Sequence, residues 1–133
     1  NLRKAGIDGW LLMKFFADSY ALIEYYKGTP HYVKCIDENE IVTTIMNLME
    51  LYYAALLFEG AEKAEQYFGS AQRLKIEFWE HHVKEACQFR FANRGKDISY
   101  VDALGYVVAK SNHAKFLTGD GAFKGMENVE WVK

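Results

Sequence analysis

Four acidic side chains stand at positions where a carboxylate could take part in chemistry. Asp18 follows the apolar run "WLLMKFFA", and Asp120 follows "AKFLTG". Asp102 lies in "SYVDALGYVVA", and Glu50 stands among apolar neighbours in "IMNLMELYYAALLF". Carboxylates at close range repel and raise one another's pKa, and a divalent cation is the usual way to relieve that repulsion. If the four converge, they indicate a site for Mg²⁺ or Mn²⁺, which prefer oxygen ligands.

Such a site suits the hydrolysis of phosphodiester bonds. Metal ions held by carboxylates activate water, orient the phosphate and stabilise the leaving oxygen. Glu50 is the least ordinary member, because a carboxylate buried in an apolar helix costs several kcal/mol unless it is paired or binds a metal. No lysine or arginine occurs in residues 39–60 to pair with it locally. A distant basic partner or partial exposure of Glu50 is the alternative.

Each aspartate also has an ordinary structural interpretation. Asp18 can cap the helix that follows it, a role that Ser19 could play equally well. Asp120 can be a turn residue between two glycines. Asp102 lies three residues after Ser99, where it can support the start of a helix. Taken one at a time, these structural roles are favoured, and only the four carboxylates together favour a functional site.

Short apolar strands separated by helices are predicted along the chain. Apolar runs predict strands over residues 10–17, 74–78, 114–119 and 129–132, and helical patterns cover residues 20–28, 61–73, 79–95 and 99–112. Residues 29–37 are weakly patterned. This alternation predicts an α/β fold with a parallel sheet covered on both faces. Ligands in such folds bind at the carboxyl ends of the strands, where Asp18 and Asp120 are expected.

The longest predicted helix spans residues 39–60. Asn39 can cap it and Gly60 can end it. Residues 45–58 are apolar nearly all round, so this part of the helix is expected to be mostly buried. Asn47 lies three residues before Glu50 on the same helical face, and Thr43 extends that face.

Composition and charge exclude several classes of protein. The chain has 133 residues and a net charge of −2, so it lacks the basic balance of a typical nucleic-acid binder. Cys35 and Cys87 are far apart, which fits thiols in a reducing compartment, and no apolar run is long enough to cross a membrane. A cytoplasmic protein is expected. Met13 opens a plausible reading frame, so residues 1–12 are interpreted as an extension or an expression remnant, and residues 13–133 as one domain.

Arg90, Arg94 and Lys96 form the one basic segment of interest, with Phe89 and Phe91 between them. These cations could hold phosphates beside the acidic residues while the aromatic rings stack on bases. The alternative is a solvated helix face with its aromatic residues in the core.

Other kinds of site are not supported by the sequence. His81 and His82 are adjacent, so they diverge on a helix and do not form a zinc site. The chain contains no G-x-G-x-x-G motif, no P-loop and no G-x-S-x-G motif.

Four segments resemble the signature segments of PIN-domain ribonucleases, in particular the VapC-type toxins of archaea and bacteria. In chain order they are "FADSYALIEYY", "TTIMNLMELYY", "SYVDALGYVVA" and "FLTGDGAF". Each motif alone is weak, but the four in this order are fairly specific, and the resemblance covers residues 13–133. It implies a PIN-like α/β/α sandwich with a central, mostly parallel sheet and helices on both faces.

The resemblance also implies an activity and its residues. The activity is endonucleolytic cleavage of RNA that depends on Mg²⁺ or Mn²⁺. The catalytic and metal-binding residues that it implies are Asp18, Glu50, Asp102 and Asp120, with Ser19, Thr118 and Asn47 in supporting or substrate-side positions.

Partners follow from the same resemblance. VapC-type proteins usually pair with a VapB antitoxin, which commonly places a basic side chain in the acidic pocket, and they often form dimers. An RNA substrate, a VapB-like antitoxin and a homodimer are therefore expected. The alternative is a catalytically silent PIN-like module for RNA processing or interaction. A phosphotransfer receiver domain is disfavoured, because no lysine occurs at the end of the late strand, in residues 118–121.

Overall fold

A four-stranded parallel sheet forms the centre of the protein in this computed structural model, which describes residues 12–133. The strands are β1 (Lys14–Ala17), β2 (Glu40–Val42), β3 (Lys115–Thr118) and β4 (Val129–Trp131), in the order β2-β1-β3-β4. The helices are α1 (Ser19–Tyr26), α2 (Pro30–Asp37), α3 (Ile45–Phe58), α4 (Ala61–Ala71), α5 (Glu80–Ala92) and α6 (Tyr100–Ser111). Short 3₁₀ turns occupy Gln72–Leu74 and Gly121–Phe123.

The helices cover both faces of the sheet, which confirms the predicted α/β/α architecture. Phe15 and Leu117 point to one face, where they pack with residues of α1 to α4. Phe16 and Phe116 point to the other face, where they pack with residues of α5 and α6. Successive strand residues alternate between faces, so the adjacent apolar residues of β1 and β3 supply both apolar clusters. Helix α6 lies so close to the sheet that a Cβ on Gly105 would stand 2.9 Å from Phe16 Cε1.

The order of the strands places a crevice at the carboxyl edge of β1 and β3. From β1 the chain passes to β2 on one side of the sheet and later returns to β3 on the other side. Such a change of direction leaves room for a ligand between the loops that leave the two strands. The backbone N–H of Asp18 donates to Leu117 O at 3.2 Å, so the ends of β1 and β3 are held side by side.

The predicted helix over residues 39–60 is wrong at its start. Residues 40–42 form β2, which pairs with β1, and α3 begins only at Ile45. The run Ile41-Val42-Thr43-Thr44 is β-branched throughout, which favours a strand over a helix. Thr44, not Asn39, caps α3 by accepting a hydrogen bond from the Met46 N–H at 3.2 Å.

The expectation that α3 is mostly buried is also wrong. Its inner face packs in the core through Leu48, Leu51 and Ala55, but an apolar outer face is open to solvent. Tyr53 and Leu57, for example, are each 61% exposed. Apolar residues all round a helix therefore reflect here one face in the core and a second face on the surface.

Two other segments differ from the sequence prediction. The weakly patterned residues 29–37 contain α2, which starts with Pro30 at its first position, where proline is well tolerated. Residues 74–78 do not form a strand of the sheet. They contribute only an isolated parallel bridge between Lys75 and Thr43.

Part of the N-terminal prediction falls outside the described residues. Residues 1–11 lie outside them, and with them most of the proposed extension and the first part of the strand predicted over residues 10–17. Within residues 12–133, no helix is long and apolar enough to span a membrane.

Candidate functional site

A hollow of about 500 Å³ opens at the carboxyl edge of β1 and β3, and all four predicted acidic residues line it. Asp18 comes from the end of β1, Glu50 from α3, Asp102 from α6 and Asp120 from the loop after β3. Among the described residues, no lysine, arginine or histidine lines this acidic hollow. Its other lining residues are Tyr20, Ile23, Ser99, Gly119 and Gly121.

Asp18 is the most buried of the four carboxylates, with 1% of its surface exposed. Its Oδ1 caps α1 by accepting a hydrogen bond from the Ala21 N–H at 2.7 Å. Its pKa is raised to about 8 in all: burial is the largest cause, the charges of Asp102 and Asp120 add to the rise, and hydrogen bonds from Thr118 and Ala21 oppose it. The hydrogen bond to Ala21 confirms the predicted capping role. A cap alone, however, does not require a carboxylate at a position this buried.

Asp102 sits in the first turn of α6, where its backbone N–H donates to Ser99 Oγ at 3.1 Å. Its pKa is raised to about 6 in all, with burial as the largest cause and hydrogen bonding with Ser99 opposing the rise. The charges of Asp120 and Glu50 and a hydrogen bond with Asp120 add to it. The pKa of Asp102 thus reports that the carboxylates from α3, α6 and the β3 loop are close enough to act on one another.

Glu50 is half-buried and belongs to a chain of polar side chains. Ser19 Oγ donates a short hydrogen bond to Glu50 Oε1 and accepts one from Asn47 Nδ2 at 3.1 Å. The Oδ1 of Asn47 accepts in turn from Thr44 Oγ1 at 2.7 Å. Asn47 and Thr44 have no exposed surface, so this chain fixes the orientation of Glu50 from inside the protein. Glu50 is partly exposed in the structure. Partial exposure is one of the two alternatives to a metal-binding role that the sequence leaves open.

Asp120 begins the 3₁₀ turn at Gly121–Phe123. Its Oδ1 accepts from the Ala122 N–H at 3.0 Å, and its own N–H donates to Thr118 Oγ1 at 3.0 Å. Thr118 thus contacts both aspartates of this edge, since its hydroxyl also forms a hydrogen bond with Asp18. Gly119 fits only as glycine, because a Cβ there would stand 2.3 Å from Tyr20 Cε1.

The donor set of the acidic hollow suits a divalent cation. Four carboxylates supply hard oxygen ligands, and none has a cationic partner among the residues that line the hollow. In residues 12–133, no group of three or more His, Cys, Asp or Glu side chains stands close enough to hold one ion as the side chains are oriented. Glu50 is turned towards Ser19 and Asp120 towards its own turn.

Two residues of this site were missed at the sequence level. Ser99 was read only as a helix start, yet it lines the acidic hollow and bonds to Asp102. Thr44 was placed inside a helix, yet it caps α3 and orients Asn47. A serine or threonine just before a helix that carries an acidic site residue is the signal that could have found both.

Arg90, Arg94 and Lys96 line a second hollow, of about 330 Å³, and not the acidic one. We call it the basic hollow; its other lining residues are Cys87, Phe91, Ile98 and Tyr100. Phe89 does not reach it as a stacking ring, because it packs against Tyr106 with ring centroids 4.5 Å apart. Phe91, in contrast, is 67% exposed.

Comparison with known families agrees with this geometry. The profile of the PIN domain matches residues 15–128, which include all four acidic residues. The chain belongs to the PIN-domain family. A comparison with curated protein sequences gives no match.

Solved structures confirm the PIN fold. A toxin–antitoxin complex from Klebsiella pneumoniae superposes with a TM-score of 0.71 at 13% identity, over 87% of this PIN domain chain and 95% of the other. VapBC2 from Rickettsia felis, bound to a DNA fragment of its promoter, gives a TM-score of 0.70 at 18% identity, and the match covers 90% of this chain and 98% of the other. VapBC-5 from Mycobacterium tuberculosis gives a TM-score of 0.65 at 17% identity, and the match covers 90% of this chain and 98% of the other. At sequence identities this low, the similarity is one of fold alone.

Proposed function

We propose that this PIN domain, residues 13–133, is an endoribonuclease that depends on Mg²⁺ or Mn²⁺. The observation that carries the proposal is the set of four carboxylates around one hollow, with no positive side chain among the described residues that line it. Bound there, the ions would activate water and offset the charge of a phosphodiester in its transition state. The position of the hollow, at the carboxyl edge of a parallel sheet, is where such folds bind ligands.

The residues of the chain divide into ligands and positioning groups. Asp18, Glu50, Asp102 and Asp120 would hold the ions. Ser19 and Asn47 orient Glu50. Ser99 hydrogen-bonds to Asp102, and Thr118 hydrogen-bonds to Asp18 and Asp120.

Cleavage of RNA with and without metal tests this proposal. Wild-type protein is incubated with a labelled single-stranded RNA in Mg²⁺, in Mn²⁺ and in EDTA, beside Asp18→Asn as the loss-of-site variant and Glu62→Gln as a charge-matched control on α4. Internal cuts by the wild type and the control that disappear with EDTA and with Asp18→Asn support the proposal. Cleavage that survives both EDTA and Asp18→Asn would refute the metal mechanism. No cleavage in any metal would favour a silent PIN-like module.

We also propose that the protein is the toxin of a toxin–antitoxin pair, acting in the cytoplasm with a VapB-like antitoxin. The support is the shared fold with three solved toxin–antitoxin complexes. Expression of this chain alone should stop growth, and co-expression with a VapB-like antitoxin that binds it should restore growth. An Asp18→Asn chain that stops growth just as strongly would contradict a toxic activity that works through the acidic hollow.

A homodimer is proposed as the assembly of the free protein. The exposed apolar face of α3 gives it surface to bury, since apolar patches of this kind commonly mark interfaces. Light scattering during gel filtration should give twice the mass of one chain, 15.4 kDa. A monomeric mass at all accessible concentrations would reject it.

A further inference from the structure

The basic hollow joins the end of α5 to the start of α6 and holds three cations that have no acidic partner in the described part of the chain. No aspartate or glutamate lines it, and none of Arg90, Arg94 and Lys96 forms an ion pair with a residue in 12–133. Arg90 Nε donates to Ile98 O at 2.8 Å, and Arg94 Nη1 donates to Phe91 O at 2.9 Å. These bonds hold the guanidinium groups in place and leave further N–H donors free, because each guanidinium has five. In a chain of net charge −2, this local excess of positive charge points to an anionic ligand.

Aromatic rings lie beside the cations. The Cζ of Arg90 stands 4.1 Å from the centroid of the Tyr100 ring, and the Cζ of Arg94 stands 4.4 Å from that of Phe91. In each pair the guanidinium lies over the ring, and we call the first pair the Arg90–Tyr100 layer. Tyr100 and Phe91 are each 67% exposed. A surface of this kind binds unpaired nucleobases by stacking, because aromatic rings and guanidinium planes both present flat faces to a base.

The basic hollow and the acidic hollow meet at the start of α6. Ile98 and Tyr100 line the basic hollow, whereas Ser99 between them lines the acidic one together with Asp102. A nucleic acid strand with one phosphate at the carboxylates would therefore reach the Tyr100 ring by crossing the first turn of α6. The first N–H groups of a helix favour an anion at such a crossing.

We infer that the basic hollow binds one unpaired nucleotide of the RNA substrate next to the cleavage site, with its base on the Arg90–Tyr100 layer and its phosphate at Arg94 and Lys96. The inference rests on the proposed ribonuclease function and adds to it a binding place for the nucleotide that flanks the cleaved phosphodiester. A base within a duplex is stacked on its neighbours and cannot offer its face to Tyr100. Tyr100, Arg94 and Lys96 act here as binding residues, and the reacting phosphate stays at the acidic hollow.

RNA binding in EDTA tests this inference separately from cleavage, since the basic hollow needs no metal. The affinity for a short fluorescent single-stranded RNA is measured by anisotropy for the wild type, Tyr100→Leu and Arg94→Gln. The matched controls are Tyr67→Leu, a tyrosine on α4, and Lys63→Gln, an exposed lysine on α4. We expect Tyr100→Leu to bind roughly tenfold more weakly, as loss of one stacking ring does, with neither control changed. Equal binding by Tyr100→Leu, Arg94→Gln and the controls would overturn the inference even if the wild type cleaves RNA.

The two free cysteines supply a footprint in the wild-type protein. Cys87 is exposed in the basic hollow, and Cys35 is half-buried between α2 and the core, so Cys35 serves as the internal reference. Single-stranded RNA in EDTA should slow alkylation of Cys87 by iodoacetamide and leave the rate at Cys35 unchanged. Equal protection of Cys87 by a duplex of the same sequence would overturn the assignment to an unpaired base. Protection that appears without RNA as the protein concentration rises would also overturn it, because a second copy of the chain would then cover the hollow.

Discussion

The acidic residues combine structural and chemical roles in the same side chains. Asp18 caps α1 and Asp120 starts a 3₁₀ turn, as their sequence contexts predict. Neither role requires a charge, because asparagine caps helices and turns about as well. Asp18 is buried and the pKa of Asp102 is raised, so ionisation of these carboxyl groups is unfavourable in the folded protein. Bound cations would offset that free-energy cost.

Replacing Asp102 by asparagine should therefore stabilise the metal-free protein. Its pKa of about 6 in the folded protein lies above the value of about 3.9 in an unfolded chain, so ionisation of Asp102 opposes folding. The part of the free energy of unfolding that depends on Asp102 is therefore fully present below about pH 4, and it is lost as Asp102 ionises while the pH rises through 6. Asp102→Asn should raise the free energy of unfolding by about 1–3 kcal/mol above pH 6, with a gain that fades towards pH 4.

Urea unfolding in EDTA across this pH range measures the effect. Added Mg²⁺ should then stabilise the wild type more than Asp102→Asn, because ions stabilise the state that binds them. Asp102→Asn should also lower RNA cleavage by about 100-fold or more. An Asp102→Asn protein that is less stable than the wild type at all pH values would show that its carboxylate serves the fold and not a cation.

Ser19→Ala should lower the affinity of the site for Mg²⁺ although it removes no metal ligand. It breaks the hydrogen bond to Glu50 and leaves the buried Asn47 amide without its acceptor. Loss of a group that orients a metal ligand typically lowers metal affinity or activity by about 10- to 100-fold. The Mg²⁺ concentration for half-maximal cleavage should rise accordingly, and excess Mg²⁺ should restore the rate of Ser19→Ala but not that of Asp102→Asn. An unchanged Mg²⁺ dependence would remove Ser19 from the site.

The two glycines around Asp120 should respond differently to alanine. A Cβ at Gly119 would meet Tyr20 Cε1 at 2.3 Å, the Tyr32 hydroxyl at 2.6 Å and Val132 O at 2.7 Å. A Cβ at Gly121 would meet nothing within 4 Å. Gly119→Ala should cost about 1–3 kcal/mol by overpacking, whereas Gly121→Ala should cost less than about 0.5 kcal/mol. Equal unfolding midpoints for the two variants in urea would contradict this packing.

At the scale of elements, local pattern predicted most helices and strands, and tertiary context decided the exceptions. The ends of α5 and α6 follow from their sequence, since Asn93 ends α5 and Ser99 caps α6. Strand β2 was missed because its three residues continue directly into an apolar helix, and only pairing with β1 separates the two. The outer face of α3 could not be predicted, because hydrophobicity does not say which apolar face meets the core.

His82 connects the start of α5 to the end of α6. Its Nδ1 accepts from the Trp79 N–H at 3.0 Å, and its Nε2 bonds to Ser111 Oγ at 2.9 Å. Because Ser111 Oγ donates to Val108 O, His82 must be neutral with its proton on Nε2. Burial and the neighbouring charge of His81 lower its pKa, with Glu85 opposing.

Stability supplied by His82 should therefore be present above its unfolded pKa of about 6.5 and lost as the pH falls through its lower pKa in the folded protein. Against His82→Gln, the wild type should be about 1–2 kcal/mol more stable near pH 8, and this advantage should shrink towards pH 5. Thermal unfolding of both proteins checks it, with His31→Gln, an exposed histidine on α2, as the control. A difference that is independent of pH would mean that His82 only fills space.

At the scale of the whole molecule, the parallel sheet brings distant parts of the chain together. Asp18 and Asp120 are about a hundred positions apart in sequence, yet β1 and β3 are neighbours and end at the same edge. That convergence could be predicted from the α/β pattern and the family motifs. The support that Thr44 gives to Asn47 could not, because it depends on α3 beginning at Ile45 and not at residue 39.

The location of bound metal tests the central claim most directly. Crystals of the protein are soaked in Mn²⁺, and an anomalous difference map is calculated near the manganese absorption edge. The account predicts a peak in the acidic hollow within about 2.0–2.3 Å of oxygens of Asp18 and Asp102, and its loss in crystals of Asp102→Asn. Manganese bound only elsewhere on the surface, or a peak in the hollow that Asp102→Asn leaves unchanged, would contradict it.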